Sequence, residues 1–367
     1  MDKIKVVMLA GNLKMDGISA VIMNYCTHMD LNKFDITIMA GIPIERFYRE
    51  KCMEYGITIE ELPQRKISNP VYFTMLNKKL RTTKFDICHV HGNSATSAAE
   101  LVLAELNHIK IRIMHCHNSK CQHEKMHEIL LPVFKRMYTQ AFSCSTLAGD
   151  WIFGKGRFTV ISNGFEIENY KFHSQKREQY RRLMKLEDCF VLGYVGRLNY
   201  QKNPWFVIKS FEKYAESAPG ARLLMVGNGS ERKEIEEYVS RSPYRDRIII
   251  YGESNDVAGL LSAMDLFLFP SRYEGLGISA AEAQISGLPC IVSERVPRDV
   301  QVGDNIRFLP ISETDITLWV KTMEEFEHTE YSRLDYYEDN KADIEKYDIR
   351  ICAKQLEGIY INLYNSV

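Results

Sequence analysis

The stretch Glu274-Gly275-Leu276-Gly277-Ile278-Ser279-Ala280-Ala281-Glu282 lies between an apolar run, Leu266–Phe269, and the start of a helix-like run. Glycines 275 and 277 make it a tight turn from strand to helix. Its amide N–H groups can face a ligand, and the helix N-terminus adds positive potential behind them. Glu274 stands in the turn and Glu282 just inside the helix, two carboxylates able to accept hydrogen bonds from hydroxyl groups. Ser279-Ala280-Ala281-Glu282 also fits a capping box, with Ser279 capping the helix and Glu282 reaching back to its N–H. A binding use and a capping use of Glu282 therefore stand side by side.

The pattern around this turn repeats in both directions. In the second half, apolar runs at Phe190–Val195, Arg222–Val226, Ile248–Tyr251, Leu266–Phe269 and Cys290–Val292 alternate with helical patterns at Pro204–Glu216, Glu231–Val239, Val257–Met264 and Ser279–Ser286. The first half behaves in the same way. Strands are expected at Ile4–Ala10, Asp35–Ala40, Thr58–Leu62, Phe85–His91, Ile111–His115, Ala141–Ser143 and Thr159–Ile161. Helices are expected at Gly17–Met29, Ile44–Tyr55, Asn69–Arg81, Ser94–Leu106 and His123–Met137. Short β-branched runs separated by helices imply parallel strands joined by crossovers. The expected fold is α/β: two doubly wound, Rossmann-like domains facing across a cleft, with ligands beyond the carboxyl ends of the strands. The boundaries read as 1–165 for the first domain, 166–188 for a charged linker and surface helix, and 189–345 for the second. Residues 346–367 form a C-terminal helix that can pack back on the first domain.

Composition narrows the class. A chain of 367 residues with 45% hydrophobic residues suits two soluble globular domains. No run reaches the roughly 18 apolar residues of a membrane span, and the N-terminus reads as a strand rather than a signal peptide. Nine cysteines without a Cys-x-x-Cys pair read as reduced thiols of a cytoplasmic protein. The net charge of −1 hides an asymmetry. Residues 1–165 hold 21 Lys+Arg against 15 Asp+Glu, and eight of the ten histidines. A basic first half suits an anionic partner, beside the plain alternative of ordinary surface-charge variation.

Further candidate groups end the other strands. Gly196-Arg197-Leu198-Asn199-Tyr200-Gln201-Lys202-Asn203 is a second glycine turn carrying two cations. Arg197 offers a fork and Lys202 a point charge to anionic oxygens. Two cations for a diphosphate and two carboxylates for hydroxyls are what gripping a sugar nucleotide requires. His115-Cys116-His117-Asn118-Ser119, followed by Cys121, His123 and His127, has zinc-ligand residue types but no structural-zinc spacing. A histidine at a strand end donating to a ligand is the stronger use, beside the plain alternative of a structural or solvated histidine, and no metal is expected. Gly11 to Gly17, His91-Gly92-Asn93-Ser94 and Ser162-Asn163-Gly164 complete the loops that parallel sheets would bring to one edge. None of them alone is a dinucleotide or P-loop fingerprint.

With these motifs in place, the chain resembles the retaining GT-B glycosyltransferases of the large family-four group. It is most similar to the branch that builds bacterial capsular polysaccharides and exopolysaccharides. Glu274 to Glu282 looks like the family's Glu-x7-Glu signature, and Gly196-Arg197 with Gln201-Lys202-Asn203 like its donor-phosphate motif. Val226-Gly227-Asn228-Gly229 and Ile161-Ser162-Asn163-Gly164 are similar to two of its turns. The resemblance implies that Arg197 and Lys202, with Gly196 and Gly227, hold the donor diphosphate, and that Glu282 binds the ribose. Glu274, with the amides of Gly275, Leu276, Gly277 and Ile278, would bind the donor sugar, and His117 would touch that sugar, with Asn163 nearby. Asp16, Gly17, His91 and Asn93 would shape the acceptor side. Asp16 replaces the first glycine of a usual Gly-Gly pair, which bears on the acceptor, and Phe165-Glu166 replaces a common Ile/Val-Asp.

The implied activity is transfer, without cofactor or metal, from a nucleotide sugar to a lipid-linked or nascent glycan. UDP is the expected nucleotide, with GDP open, and nucleic acid is not an expected partner. The implied place is the cytoplasm, at the inner membrane face. Contact with anionic lipid would run through His123–Met137, where Lys125, Lys135 and Arg136 lie beside Leu130, Leu131 and Phe134. Two alternatives are a sugar-nucleotide epimerase of the same fold and a non-catalytic partner subunit. A dinucleotide dehydrogenase is disfavoured, since neither half has the fingerprint.

Overall fold

A computed structural model describes residues 3–14, 16–66 and 69–367. Met15 of the first loop, and Met1-Asp2 ahead of the first strand, lie outside the described residues. Contacts divide the chain into two units. One comprises residues 1–165 with 346–367, the other residues 166–345.

The first unit holds a parallel sheet of seven strands: β1 (Ile4–Ala10), β2 (Phe34–Gly41), β3 (Thr58–Leu62), β4 (Ile87–Gly92), β5 (Ile111–Cys116), β6 (Gln140–Ser143) and β7 (Thr159–Val160). Their order is β3-β2-β1-β4-β5-β6-β7. The second unit holds β8 (Phe190–Val195), β9 (Ala221–Val226), β10 (Ile248–Gly252), β11 (Leu266–Phe269), β12 (Cys290–Ser293) and β13 (Ile306–Leu309), ordered β10-β9-β8-β11-β12-β13 and again parallel. In each sheet the order reverses once, between β1 and β4 and between β8 and β11. Chain leaving the strands there diverges and opens a crevice at their carboxyl ends. The central strands are apolar along their length, and Val6–Ala10 and Val191–Val195 are buried throughout, because helices cover both faces of such sheets.

Element types follow the sequence pattern, and differences concentrate at ends and in the last third. The helix expected at Ser279–Ser286 runs Ile278–Ile285. Its N-cap is Gly277, in the left-handed region with φ 97°, and no side chain caps it. The capping box is therefore absent, because Ser279 lies inside the helix and Glu282 is engaged elsewhere. Ser94–Leu106 divides into a 3-10 turn, Ala95–Ser97, and a helix, Ala98–Leu106. A helix at Thr146–Phe153, strand β13 and a helix at Ile316–Glu327, which buries Trp319, Thr322 and Met323 on one face, were not expected.

The segment 166–188 is tied to the second unit. Its helix Ser174–Met184 sends Arg177 and Arg181 to Asp265 at 2.5 and 3.0 Å. The final helix, Ile349–Asn365, belongs to the first unit and packs Tyr360 edge-on against Phe34. Among the described residues no helix is long and apolar enough to cross a membrane. Among the described residues no cysteine forms a disulfide.

Candidate active site

The reversal point of the second sheet is where the quoted motifs meet. Backbone hydrogen bonds stitch the turn after β8 to the turn after β9: Gly196 N to Val226 O (3.0 Å), Leu198 N to Asn228 O (2.9 Å) and Glu231 N to Leu198 O (2.9 Å). The fit requires glycine at 227, where φ is 134° and a Cβ would lie 2.0 Å from the Gly196 carbonyl oxygen. A second seam joins the β8 turn to the β11 turn. Arg272 N donates to Gln201 O (2.8 Å), and Gln201 Nε2 to Tyr273 O (3.0 Å). Asn203 Nδ2 donates to Pro270 O (3.2 Å) and Asn203 Oδ1 accepts from Arg272 (2.9 Å). Asn203 sits at φ 54°, just before Pro204 opens the next helix.

Across this seam Lys202 Nζ meets Glu274 Oε1 at 2.6 Å, with the side chains 14% and 7% exposed. The ammonium also lies 4.7 Å from the centre of the Phe269 ring. Apolar surroundings raise the cost of separating such charges unless another ion replaces the lost partner. Arg197 is exposed, and among the described residues no side chain pairs with its guanidinium. One cation is thus pre-positioned against a carboxylate and another open to solvent at the same turn. Nearby, Glu231 Oε2, Ser271 Oγ and Arg272 Nε are buried without a hydrogen-bond partner among the described residues. Buried polar atoms are normally satisfied, so orphans gathered at strand ends point to a ligand or water.

Glu282 accepts a hydrogen bond from Tyr170 Oη at 2.7 Å. The carboxylate is only partly open to solvent, and desolvation by the packed protein pushes its pKa up to about 7, against the opposing pull of Tyr170 and Lys202. A raised carboxyl pKa means that the native state holds a proton which the unfolded chain releases near 4.5. Stability from this group is present at low pH and lost as pH rises through about 7. Glu282→Gln keeps the acceptor for Tyr170 and removes the charge. It is expected to stabilise the free protein at pH 8 by about 2 kcal/mol, allowing for partial exposure, and to change little at pH 4. Urea unfolding at the two pH values measures this, and an equal shift at both would refute the titration assignment. Tyr170 carries no local signal in the sequence, since it lies 112 positions from its partner. Gln201, Asn203 and Arg272 were likewise missed as the residues that lock the turns.

In the first unit, Asp16 caps the helix Gly17–His28 by accepting from Ser19 N at 3.0 Å, and Gly17 is exposed at its first position. The Asp16 side chain, expected to shape the acceptor site, is thus also a helix cap. Asn93 is partly exposed beyond β4, and Asn163 is buried with its Oδ1 unpartnered. His91 and His117 are joined by a hydrogen bond of 2.9 Å and belong to a buried block with His89 and His115. One ring nitrogen from each of His89, His91 and His115 lies within 4.8 Å of the others, a group of metal-ligating type. The candidates Cys121, His123 and His127 do not join it. His123 is exposed, and His127 stacks on Trp151 and accepts from Ala95 N at 3.1 Å.

Residues 175–343 match the family described as glycosyl transferases group 1. They form a domain of that family. EpsF of Bacillus subtilis (strain 168) is 26% identical over 98% of this chain and 96% of its own length. The Escherichia coli UDP-Gal:alpha-D-GlcNAc-diphosphoundecaprenol alpha-1,3-galactosyltransferase is 28% identical over 59% of this chain and 60% of its own. Among solved structures, Anabaena Alr3699/HepE in complex with UDP matches with a TM-score of 0.80 at 17% identity, covering 98% of this chain and all of the other. At that identity the likeness carries the fold alone, and the fold is GT-B.

Proposed function

We propose that this glycosyltransferase moves a sugar from a UDP-sugar to a lipid-linked or nascent glycan in bacterial polysaccharide biosynthesis, with retention at the anomeric carbon. The observation that carries the proposal is the Lys202–Glu274 pair at the sheet's reversal point, beside the glycine turns and the Tyr170–Glu282 pair. Lys202 and Arg197 offset the diphosphate charge, Glu282 takes the ribose hydroxyls, and Glu274 with the amides of residues 275–278 takes the donor sugar. UDP is supported by the HepE complex, and a lipid-linked acceptor by the name of the galactosyltransferase relative.

Retention without an enzymic base requires attack from the face that the diphosphate leaves. The bond from C1 to the diphosphate oxygen breaks, the acceptor oxygen bonds to C1 on the same face, and its proton passes to the departing phosphate oxygen. Catalysis then consists of positioning and of stabilising the leaving charge. No metal or cofactor enters this scheme. Transfer assays with UDP- and GDP-sugars, ranked by thermal shift, test it. A product of unchanged anomeric configuration is expected, formed only when an acceptor is added. A converted nucleotide sugar without acceptor would instead identify an epimerase, and no response to any nucleotide would identify a partner subunit.

The acceptor reading places the first unit at an anionic membrane surface, through the helix Glu124–Met137. Its exposed apolar residues are Ile129 and Val133, with Lys125, Lys135 and Arg136 on the same helix. Phe134, expected to face lipid, is instead buried and packs against Phe153. Reversing the three charges is expected to weaken binding to anionic liposomes, read by flotation, by about 100-fold or more, because each basic residue near the surface contributes about 1 kcal/mol. Unchanged flotation would exclude this helix as the contact.

A further inference from the structure

Strands β4 and β5 place four imidazoles on one face of the sheet. His91 Nδ1 and His117 Nε2 are 2.9 Å apart, and His89 Nε2 and His115 Nδ1 are 3.2 Å apart. The two hydrogen-bonded pairs stack, His89 on His91 and His115 on His117, with centroids 4.2 Å apart in both cases. His89 Nδ1 also bonds the Tyr360 hydroxyl, whose oxygen lies 3.9 Å from Met8 Sδ. Two nitrogens, His91 Nε2 and His115 Nε2, are buried without a partner.

Those two vacant nitrogens fix the remaining protons. A neutral imidazole carries one N–H and one lone pair. Orphaned buried N–H groups are rarer than under-satisfied acceptors, so the vacant nitrogens are assigned lone pairs. His115 then carries its proton on Nδ1 and donates to His89 Nε2. His89 donates from Nδ1 to the Tyr360 oxygen, and Tyr360 donates to Met8 Sδ. By the same rule His91 donates from Nδ1 to His117 Nε2. The donors of His115, His89, Tyr360 and His91 now each have an acceptor. His117, accepting at Nε2, must hold its own proton on Nδ1, a nitrogen that no group among the described residues bonds. His117 and His91 are also the most exposed of the four, at 9% and 8%.

We propose that His91 is a positioning residue that holds His117 as the neutral Nδ1–H tautomer, making His117 a hydrogen-bond donor to a hydroxyl oxygen of a ligand bound at the carboxyl ends of β4 and β5. The ligand half of this inference rests on the function proposed above; the tautomer half does not. His91, expected on the acceptor side, thus acts through His117. The opposite tautomer would leave a lone pair on Nδ1 and offer that ligand only an acceptor.

Nitrogen-15 NMR of the histidine-labelled protein reads the tautomer directly. The wild type is expected to show His117 protonated on Nδ1 and unprotonated on Nε2; the reverse assignment overturns the proposal. His91→Leu removes the donor and is expected to lower kcat/KM about 10- to 100-fold, the scale of one hydrogen bond in the transition state. It should also mix the two His117 tautomers. His91→Asn places an amide donor near the lost Nδ1 and is expected to recover most of that loss. If His91→Leu leaves the His117 tautomer unmixed, or His91→Asn rescues nothing while folding normally, the positioning role is wrong. If the wild type transfers no sugar at all, the functional proposal fails while the tautomer result still stands.

Discussion

Glu274→Gln is expected to lower sugar transfer by orders of magnitude and, in the same protein, to enlarge the stabilisation that UDP confers. In the free protein Lys202 is held by Glu274 at 2.6 Å in a largely buried setting. A diphosphate that uses Lys202 has to take it from that carboxylate. Removing the carboxylate leaves a buried ammonium unpaired, which costs the free protein about 3–5 kcal/mol. The diphosphate then supplies the missing anion without first breaking a pair. The variant should unfold at a lower temperature than wild type, yet gain more from the same excess of UDP, because the stabilisation by a ligand rises with the logarithm of its affinity. Transfer should nevertheless fall by about 10²- to 10³-fold, the scale of losing one preorganised electrostatic contact to the reacting group. Thermal unfolding with and without UDP, beside a transfer assay, reads both effects. A UDP-induced shift no larger than that of wild type would mean that Glu274 and the diphosphate do not compete for Lys202. Undiminished transfer would remove Glu274 from the site.

How far the sequence revealed this site depended on how local each interaction is. Glycine turns after apolar runs were legible because conformation and chemistry lie within a few residues, as at Gly196–Asn203 and Glu274–Gly277. Parallel topology was legible for the same reason, since each crossover repeats one local pattern. Pairings across the chain were not. Tyr170 looked like part of a charged linker and emerged as the partner of Glu282. Lys202 and Glu274 were each assigned to a ligand, with nothing in their spacing to say that they hold one another in the free protein. The capping box failed because Gly277 turned the chain two residues before Ser279, and the Glu282 carboxylate found a phenol instead. The four histidines were read as two separate strand ends. Only the register, which sets His91 beside His115, makes them one block.

That block makes the first unit sensitive to acid. His89, His91 and His115 are held well below the ordinary histidine pKa, first by burial and then by each other, and burial lowers His117 to about 3. The rings packed on them, Phe142 and Tyr360, bring no negative charge, and no carboxylate is among the charges acting on them. In the unfolded chain each would protonate near 6.5. Depressed pKa values on basic groups mean that the unfolded state binds the extra protons, so stability is full above about 6.5 and falls as pH drops below it. By pH 5 each histidine costs about 2 kcal/mol and the four together about 8 kcal/mol, against a total of about 5–15 kcal/mol for a typical protein. The first unit should therefore unfold near pH 5, with about four protons taken up in the transition. Hydrogen exchange followed by mass spectrometry from pH 7 to 5 separates the units. Amides of β4 and β5 are expected to lose protection while those of β8 and β9 keep theirs. His115→Phe should lower the proton uptake by about one and move the transition to lower pH, provided that the larger ring is accommodated. Retention of protection in β4 and β5 at pH 5 would mean that the block admits a proton while folded, most readily at one of the two nitrogens that lack a partner.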